Sequence, residues 1–276
     1  MVEPLELHGV SKRYGTRSPW VLRGVDLRLP PGSLTRVDGA NGSGKSTLLS
    51  LIAGIGRPSR GRVVGGGRRA YVPERLPSVL PFDVAGYLAR LGAVHGLDER
   101  TARRRAADWL ERLGASAWLR TPMTALSKGT AQKVAITQAL MADADLLVLD
   151  EAWSGLDATS RAVVDETVGE RVATGVAVVF VDHQRAARSG SADVYRVERG
   201  CVVRAPDPDP ALLARPTDVV EIEYLDGDVP RTFRVQAQSS DAALRELLGD
   251  PGCHVRSVHT IGAVDLDGPS WPLAHR

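Results

Sequence analysis

The sequence has little cysteine and no long apolar run. Its 276 residues include two cysteines, Cys201 and Cys253, which form neither a zinc-binding spacing nor a disulfide framework. No apolar stretch approaches the roughly 20 residues that a membrane-spanning helix needs. The first residues carry Glu3 and Glu6 and lack a basic segment followed by an apolar one, so we expect no cleaved secretion signal. These absences argue against disulfide-stapled and membrane-spanning classes, and we expect a cytoplasmic protein.

A large net charge is also lacking. The formal charge is +2, which is too small to indicate nucleic-acid binding by itself. Residues 215–276 contain six arginines against ten acidic residues, a net charge of −4, which leaves +6 for residues 1–214. With 43% hydrophobic residues the chain can bury a full α/β core. Length and charge asymmetry together predict a large basic domain followed by a small acidic one.

The sequence does contain a glycine-rich loop between a strand and a helix. Residues 39–47 read GANGSGKST, with strand character before them and helix character after them. In a loop that joins a strand to a helix, small residues let consecutive backbone N–H groups point at a phosphate, and the helix N-terminus adds partial positive charge. We therefore predict that the loop binds nucleotide phosphates through Gly39, Ala40, Asn41, Gly42, Ser43, Gly44, Lys45, Ser46 and Thr47.

Two residues of this loop carry specific chemistry. Lys45 is predicted to reach the β- and γ-phosphates, and the hydroxyl of Ser46 is predicted to hold Mg²⁺. Only four of the 35 basic residues are lysines, and one of them stands where a compact ammonium suits phosphate better than the planar fork of arginine. The alternative is a glycine-rich turn without a ligand, and the flanking strand and helix argue against it.

Two buried strands are predicted to end beside the loop. One reads LLVL and is followed by Asp150 and Glu151; the other reads VAVVFVD and is followed by His183. Strands that are apolar throughout are typical of a parallel sheet covered on both faces. Because ligands bind at the carboxyl ends of the strands in open α/β sheets, we expect Lys45, Asp150, Glu151 and His183 to lie at one edge.

Ahead of the loop, alternating apolar and polar residues predict strands over residues 5–10 and 21–29. Two short strands are predicted after it, around residues 62–64 and 69–72. Between the first two strands lies Tyr14. An exposed tyrosine ahead of a phosphate loop can stack on an adenine; the alternative is a loop aromatic that packs on its own sheet.

An inserted helical subdomain is predicted from about residue 76 to 140, where apolar residues recur at helical spacing. Ser127 is placed to cap a helix over residues 131–141. Three arginines at 103–105 are interpreted as a solvated helix face and not as a nucleic-acid patch, because no aromatic residues interleave with them.

Near its end the sequence changes character. A proline-rich run over residues 205–216 predicts a linker. Alternating runs follow, with a hairpin signal at Asp226-Gly227, and residues 240–248 are typical of a short helix. We therefore expect a small C-terminal α+β domain over residues 217–276, of unknown role and without catalytic residues.

Taken in order, four motifs resemble those of the ATP-binding subunits of ABC transporters, over roughly residues 1–204. GANGSGKST resembles the Walker A loop, LSKGT the family signature, LLVLDE the Walker B strand with its glutamate, and SGLD the D-loop. Tyr14 resembles the adenine-stacking aromatic of the family and His183 its switch histidine. The resemblance implies an α/β P-loop NTPase core with a mostly parallel sheet, an antiparallel β subdomain and an inserted helical subdomain.

The resemblance also implies roles for the site residues. Asp150 would position Mg²⁺ together with Ser46, Glu151 would act as general base on the attacking water, and His183 would contact the γ-phosphate. Four residues of the signature and the D-loop would complete the ATP site of an opposite subunit: Ser127, Lys128, Gly129 and Asp157. The implied cofactors are ATP and Mg²⁺. The implied partners are a second ATP-binding subunit, in a homodimer or heterodimer, and a transmembrane permease subunit; nucleic acid is not expected.

Two positions depart from the family's pattern. The signature is commonly LSGGQ, whereas this sequence reads LSKGT and retains Ser127 and Gly129 as donors for a γ-phosphate. The Q-loop glutamine of the family aligns with Glu74. A carboxylate at that position can coordinate Mg²⁺, but it donates no hydrogen bond and adds negative charge near a polyanion.

Three functions fit this resemblance. Transport is favoured, and export in particular, because the short cassette, the LSKGT variant and the small tail resemble subunits of bacterial exporters. A non-transport ATPase acting on the ribosome or on DNA fits less well, because there is one cassette and no long coiled coil. The third function is that of a regulatory cassette, which binds ATP but hydrolyses it poorly because of Glu74.

Overall fold

The chain was obtained as a computed structural model, which describes residues 2–77, 80–182, 192–205, 219–226, 229–236 and 253–262. The chain divides into two units, Met1–Asp207 and Pro208–Arg276. Three sequence predictions lie outside the described residues: His183, the helix over 240–248 and the linker from residue 206 onward.

The first unit contains nine strands and five α-helices within its described residues. In chain order they are β1 (Leu5–Lys12), β2 (Leu22–Leu29), β3 (Leu34–Asp38), α1 (Lys45–Ile52), β4 (Arg60–Val64), β5 (Arg69–Val72), α2 (Val84–Val94), α3 (Glu99–Arg112), α4 (Lys128–Leu140), β6 (Leu146–Asp150), α5 (Ala158–Ala173), β7 (Ala177–Val181), β8 (Asp193–Glu198) and β9 (Cys201–Ala205). Short 3-10 helices cover Ser116–Trp118 and Met123–Ala125. No α-helix among the described residues has both the length and the apolar character that crossing a bilayer demands.

A six-stranded sheet with the order β5-β6-β7-β3-β8-β9 forms the centre of this unit. Its neighbouring strands are parallel except for the antiparallel pair β8 and β9. The predicted α/β class with a mostly parallel sheet is therefore confirmed. The pair β8 and β9 was not predicted, and because Ala205 still pairs with Val194, residue 205 belongs to β9 and not to the linker.

The central strands are covered on both faces. Leu146 and Val148 of β6 pack in a cluster with α1 and β1, whereas Leu147 and Leu149 pack in another with α4 and α5. Since successive side chains of a strand point to opposite faces, every position of β6 is buried. This is why the sequence reads there as an unbroken apolar run.

A separate antiparallel sheet, in the order β2-β1-β4, forms the predicted β subdomain. Its register places Leu5 opposite Leu29 and Leu7 opposite Leu27, all of them buried. The alternation of apolar and polar residues in β1 and β2 therefore reports a sheet with one face in the core.

The predicted helical subdomain consists of α2, α3 and α4, which share a core of their own that includes Leu88, Leu110 and Val134. Side-chain caps fix where each helix begins: Asp83, Asp98 and Ser127 accept hydrogen bonds from backbone N–H groups of the first turn. Because of its cap, α4 begins at Lys128 and not at residue 131 as predicted. The signature residues 128–130 therefore form the first turn of this helix.

In the second unit, an antiparallel sheet has the order β11-β10-β12. Its strands are β10 (Val219–Asp226), β11 (Val229–Gln236) and β12 (Cys253–Gly262). Ile222 and Tyr224 of the central strand are buried. The three predicted strands of the tail are present, each longer than its apolar pattern indicated.

Candidate nucleotide site

A cleft of about 500 Å³ opens at the carboxyl ends of β3 and β6. It is lined by Tyr14, Val21, Asn41, Gly42, Gly44, Lys45, Ser46, Thr47, Glu74, Asp150 and Glu151. All of these except Val21 were predicted as site residues from the sequence. The polar groups at two strand ends and the glycine-rich loop thus meet in one cavity.

The shape of the loop depends on its glycines. Gly39 has φ +148°, and a Cβ there would lie 2.6 Å from the carbonyl oxygen of Val197, which is closer than atoms can approach. Gly44 has φ +111°, a left-handed conformation that directs the chain into α1. The buried hydroxyl of Ser43 has no hydrogen-bond partner among the described residues, so it is available to a bound ligand.

Lys45 is the first residue of α1 and is 8% exposed. Its Nζ donates to the carbonyl oxygens of Gly39, at 2.7 Å, and of Ala40, at 3.0 Å. The two hydrogen bonds hold the ammonium inside the curve of the loop. A phosphate bound by the backbone N–H groups would meet that positive charge at close range.

Asp150, the last residue of β6, is 2% exposed. Burial is the main cause that raises the pKa of its carboxyl group, and the charges of Glu74 and Glu151 act in the same direction. Hydrogen bonds from Ser46 and from Tyr71, whose hydroxyl lies 3.2 Å from Oδ2, oppose this shift. Tyr71 was not predicted as a site residue; the only sequence signal was its position at the end of a short strand just before Glu74.

Glu151 follows Asp150 in an unusual backbone conformation. Its φ is +49°, in the left-handed region that residues other than glycine rarely adopt. The conformation is fixed by two backbone hydrogen bonds: Glu151 N–H donates to the carbonyl of Val181 at 3.0 Å, and Ser154 N–H donates to the carbonyl of Glu151 at 3.0 Å. Such strain is concentrated at functional sites, and here it directs a carboxylate into the cleft.

Glu74, which occupies the position of the family's glutamine, lines this cleft and also a second one. Its carboxylate is half-exposed and lies 3.5 Å from Nε of Arg75. Its negative charge contributes to the raised pKa values of Asp150 and Tyr71. The cleft therefore has three carboxylates around the position where phosphates are expected.

Tyr14 also lines the cleft and is 70% exposed, so it does not pack into a sheet. Its hydroxyl shares a hydrogen bond of 3.1 Å with Oγ1 of Thr47 in α1. A flat, exposed ring that is fixed to the loop helix suits the stacking of a base.

The signature and the D-loop do not line this cleft. They contact one another instead: Lys128 Nζ of the signature donates to Oγ of Ser154 at 3.2 Å. Further along α4, Lys133 Nζ pairs with Oδ2 of Asp157 at 2.6 Å. The hydrogen bond from Lys133 is the main cause that holds the pKa of Asp157 well below its usual range, and the backbone N–H of Ser160 adds to it. The sequence did not indicate these contacts between α4 and the D-loop.

The second cleft has a volume of about 210 Å³ and lies between the segment that follows β5, residues 74–77, and the start of α4 with the short 3-10 helix before it. It is lined by Glu74, Arg75, Leu76, Pro77, Met123, Thr124, Leu126, Lys128, Ala131 and Gln132. Its walls are mainly apolar, and its charged residues are Glu74, Arg75 and Lys128. In the helical subdomain, Arg103 and Arg104 are exposed as predicted, and Arg103 pairs with Glu99 on the same helix. The prediction is wrong for Arg105, which is partly buried, donates to the carbonyl oxygen of Met141 and pairs with Asp143.

The residues at the loop fit Mg²⁺ as well as phosphate. A hydroxyl, Ser46, and a carboxylate, Asp150, lie within hydrogen-bond distance of each other, and both provide the hard oxygen ligands that Mg²⁺ prefers. In the described residues no group of three or more histidine, cysteine, aspartate or glutamate side chains forms a complete metal site. This donor set suits an ion that is also coordinated by phosphate oxygens and water.

Comparison with known proteins identifies the family. The family model described as ABC transporter matches residues 22–154. A zinc import ATP-binding protein, ZnuC of Jannaschia sp., is 35% identical over 185 residues, which cover 65% of this chain and 72% of the relative. The chain belongs to the ABC transporter family. It is an ATP-binding subunit of that family and an ATPase.

Other members show the range of proteins that this ABC ATPase resembles. The macrolide export ATP-binding/permease protein MacB of Nitrosomonas europaea is 32% identical over 219 residues, covering 72% of this chain and 33% of the relative. A solved structure of an ATP-binding subunit of an ABC transporter matches with a TM-score of 0.67 and 25% identity, covering 77% of this chain and 95% of that one. The resemblance inferred from the sequence motifs is therefore confirmed.

Proposed function

We propose that this ABC ATPase powers transport across the cytoplasmic membrane by closing and opening a dimer around ATP. One observation carries the proposal: the signature residues Ser127, Lys128 and Gly129 do not line the cleft that contains Lys45 and Glu151. A second subunit, identical or homologous, would therefore have to supply its own signature to cover the γ-phosphate. Closure on ATP and opening after hydrolysis would drive a membrane partner.

Within each site, the loop residues bind and orient ATP. The backbone N–H groups of the loop and the Lys45 ammonium hold the β- and γ-phosphates, and the adenine stacks on Tyr14 beside Val21. The hydroxyl of Ser46 and the carboxylate of Asp150 orient Mg²⁺, with Glu74 as a further carboxylate. When bound, Mg²⁺ neutralises charge on the polyphosphate.

Glu151 accepts the proton of the attacking water in this proposal. Its strained backbone directs the carboxylate into the cleft beside Asp150. His183, which lies outside the described residues, would contact the γ-phosphate and report its presence. The signature residues and Asp157 of the opposite subunit would exclude water and complete the enclosure of the phosphates.

The permease partner would dock at the second cleft. Its mainly apolar lining near the Q-loop residue Glu74 suits a short amphipathic helix. Docking there would place the subunit peripherally on the inner face of the cell membrane. The name of MacB, an ATP-binding/permease protein, shows that in one relative the two functions are joined.

The direction of transport stays a prediction. One of the two relatives described above is named for import and the other for export. The sequence favours export, on the likeness of the short cassette and tail to exporter subunits. We also propose residues 1–205 as the cassette, one residue longer than predicted because Ala205 pairs in β9, and residues 217–276 as a separate small domain.

The proposal is tested with the Glu151→Gln protein, in which ATP should be bound but not hydrolysed. Light scattering with and without ATP should show a dimer that depends on ATP and that reverts when nucleotide is removed. Co-purification of the wild-type chain from membranes with a multi-span protein would support the permease partner. A chain that stays monomeric with ATP and elutes alone in several detergents would contradict transport.

Glu74 gives a second candidate function, that of a regulatory cassette. Its charge beside Asp150 and Glu151 disfavours a further polyanion in the cleft. A phosphate-release assay separates the two functions: steady turnover supports the transport motor, whereas tight ATP binding without release of phosphate supports the regulatory cassette.

A further inference from the structure

Lys12, at the end of β1, lies over the ring of Tyr14, with its Nζ 5.1 Å from the ring centroid. This distance is within the range of a cation–π interaction, in which an ammonium is attracted to the negative face of an aromatic ring. The tyrosine is thus fixed at two places, by Thr47 at its hydroxyl and by Lys12 at one face.

The position of the ammonium is itself determined by the fold. Lys12 Nζ donates to the carbonyl oxygen of Arg57 at 2.8 Å. The next residue, Arg13, is joined to the same turn, because its backbone N–H donates to Oγ of Ser59 at 3.1 Å and its carbonyl accepts from that hydroxyl at 3.2 Å. The turn at residues 57–59 therefore holds the lysine above the ring.

The contacts of Lys12 are not those of an ordinary surface lysine. Among the described residues, no carboxylate lies within 4.0 Å of its Nζ; the polar contact is with a carbonyl and the other contact is with the ring. Tyr14 lines the large cleft, whereas Lys12 is not among the residues that line it. The ammonium thus contacts the ring without itself lining the cleft.

We propose that Lys12 is a positioning residue for the base of the bound nucleotide. It occupies one face of Tyr14, so that a base can stack on the other face only, and its charge draws electron density away from that face. The base, the phenol ring and the ammonium then form three layers. This inference rests on the proposed stacking of adenine on Tyr14.

The affinity of the full-length chain for two ligands tests this role: ATP, and inorganic tripolyphosphate, which has no base. Lys12→Met removes the charge at similar length, and we expect it to lower the affinity for ATP by about two- to fivefold. The affinity for tripolyphosphate should not change, since this ligand has no base to stack on Tyr14. Lys12→Arg keeps a cation and should retain the wild-type affinity for ATP. Lys12→Gln, a second neutral variant, should repeat the result of Lys12→Met.

Tyr14→Ala supplies the comparison. It should lower ATP affinity by about 5- to 100-fold, and Lys12→Met should have no further effect in that background, because the ring through which the lysine acts is gone. An unchanged ATP affinity in both neutral variants would overturn the role of Lys12. Equal losses for ATP and tripolyphosphate would also overturn it, because they would show a general attraction for phosphate or a folding defect.

The same measurements distinguish this inference from the proposed function. If Tyr14→Ala loses affinity for ATP as expected while the Lys12 variants do not, only the role of Lys12 is wrong. If Tyr14→Ala binds ATP like the wild type, the stacking of the base on Tyr14 is wrong and the inference falls with it.

Discussion

The hydroxyl of Tyr71 donates a hydrogen bond to Oδ2 of Asp150, so that side chains of neighbouring strands meet at the edge of the central sheet. Burial raises the pKa of both groups, and the ionised carboxylate raises that of Tyr71 further. The hydrogen bond and Ser46 offset the cost of burying Asp150 only in part. The carboxylate proposed to orient Mg²⁺ is therefore held in the fold at a cost in stability.

Asp150→Asn should stabilise the nucleotide-free protein and impair hydrolysis. The folded-state pKa of Asp150 is raised above its unfolded value, so its ionised form destabilises the fold at neutral pH, and this cost disappears as the pH falls below the unfolded pKa. Asparagine keeps the shape and can still accept from Tyr71. We expect a higher melting temperature at pH 7, a gap that narrows toward about pH 4, and hydrolysis lower by about 10- to 100-fold.

Thermal unfolding between about pH 4 and pH 7 measures the change in stability, and a phosphate-release assay measures the change in hydrolysis. The control is Asp108→Asn on the exposed face of α3, which removes an acidic group without relieving a buried charge. If Asp150→Asn melts below the wild type at neutral pH, the buried carboxylate does not destabilise the fold.

Glu151→Gln should separate ATP binding from hydrolysis. Glutamine preserves the size of the side chain and does not act as a base, and general acid–base catalysis is typically worth about 10² to 10⁴ in rate. Turnover should therefore fall by at least about 100-fold, while the dissociation constant for ATP stays close to that of the wild type. Single-turnover hydrolysis and equilibrium binding check the two parts. Glu166→Gln, an exposed change on α5, should alter neither, and unchanged turnover in Glu151→Gln would remove Glu151 from its role.

Glu74→Gln tests the departure from the family's glutamine. The charge of Glu74 reaches the site, since it acts on Asp150, and it should repel the negatively charged polyphosphate. Removing it should tighten the binding of metal-free ATP by about two- to fivefold, a modest effect because the side chain is half-exposed. The additional affinity that Mg²⁺ confers should become smaller, since a carboxylate that attracts the ion is lost. Binding titrations with a chelator and with Mg²⁺ measure both quantities. The exposed Glu111→Gln on α3 is the control, and weaker metal-free binding in Glu74→Gln would show that its charge does not repel the nucleotide.

Most of the site could be predicted because local sequence determines it. The phosphate loop needs small residues at particular turns, and the buried strand before Asp150 reads as an apolar run because both of its faces are covered. These constraints act over a few neighbouring residues. The mostly parallel sheet could be predicted from the same apolar runs.

Contacts between distant residues could not be predicted. Tyr71 meets Asp150 across 79 positions of the chain, and Lys12 reaches Arg57 across 45. The left-handed φ of Glu151 depends on the carbonyl of Val181 in another strand. The start of α4 was misplaced by three residues because the pattern of apolar residues begins after the capped first turn.

The contact between the signature and the D-loop gives the last prediction. A Cβ on Gly129 would lie 2.7 Å from the carbonyl oxygen of Gly155, a backbone atom that cannot move cheaply. Gly129→Ala should therefore displace the first turn of α4 from the D-loop and destabilise the protein by about 1–3 kcal/mol. Hydrolysis and ATP-dependent dimerisation should fall, whereas ATP binding at the cleft of the single subunit should persist, because Gly129 does not line that cleft.

Gly169→Ala is the matched control for this change. Gly169 is exposed in α5, and a Cβ there would meet nothing within 4 Å. Both substitutions replace a helical glycine by alanine and share the gain in helix propensity, so the difference between them reports the contact with Gly155. Gly169→Ala should raise the free energy of unfolding by about 0.5–1 kcal/mol and leave hydrolysis unchanged. Chemical denaturation compares the two variants, and a Gly129→Ala protein that gains stability as Gly169→Ala does would show that the signature and the D-loop are not closely packed.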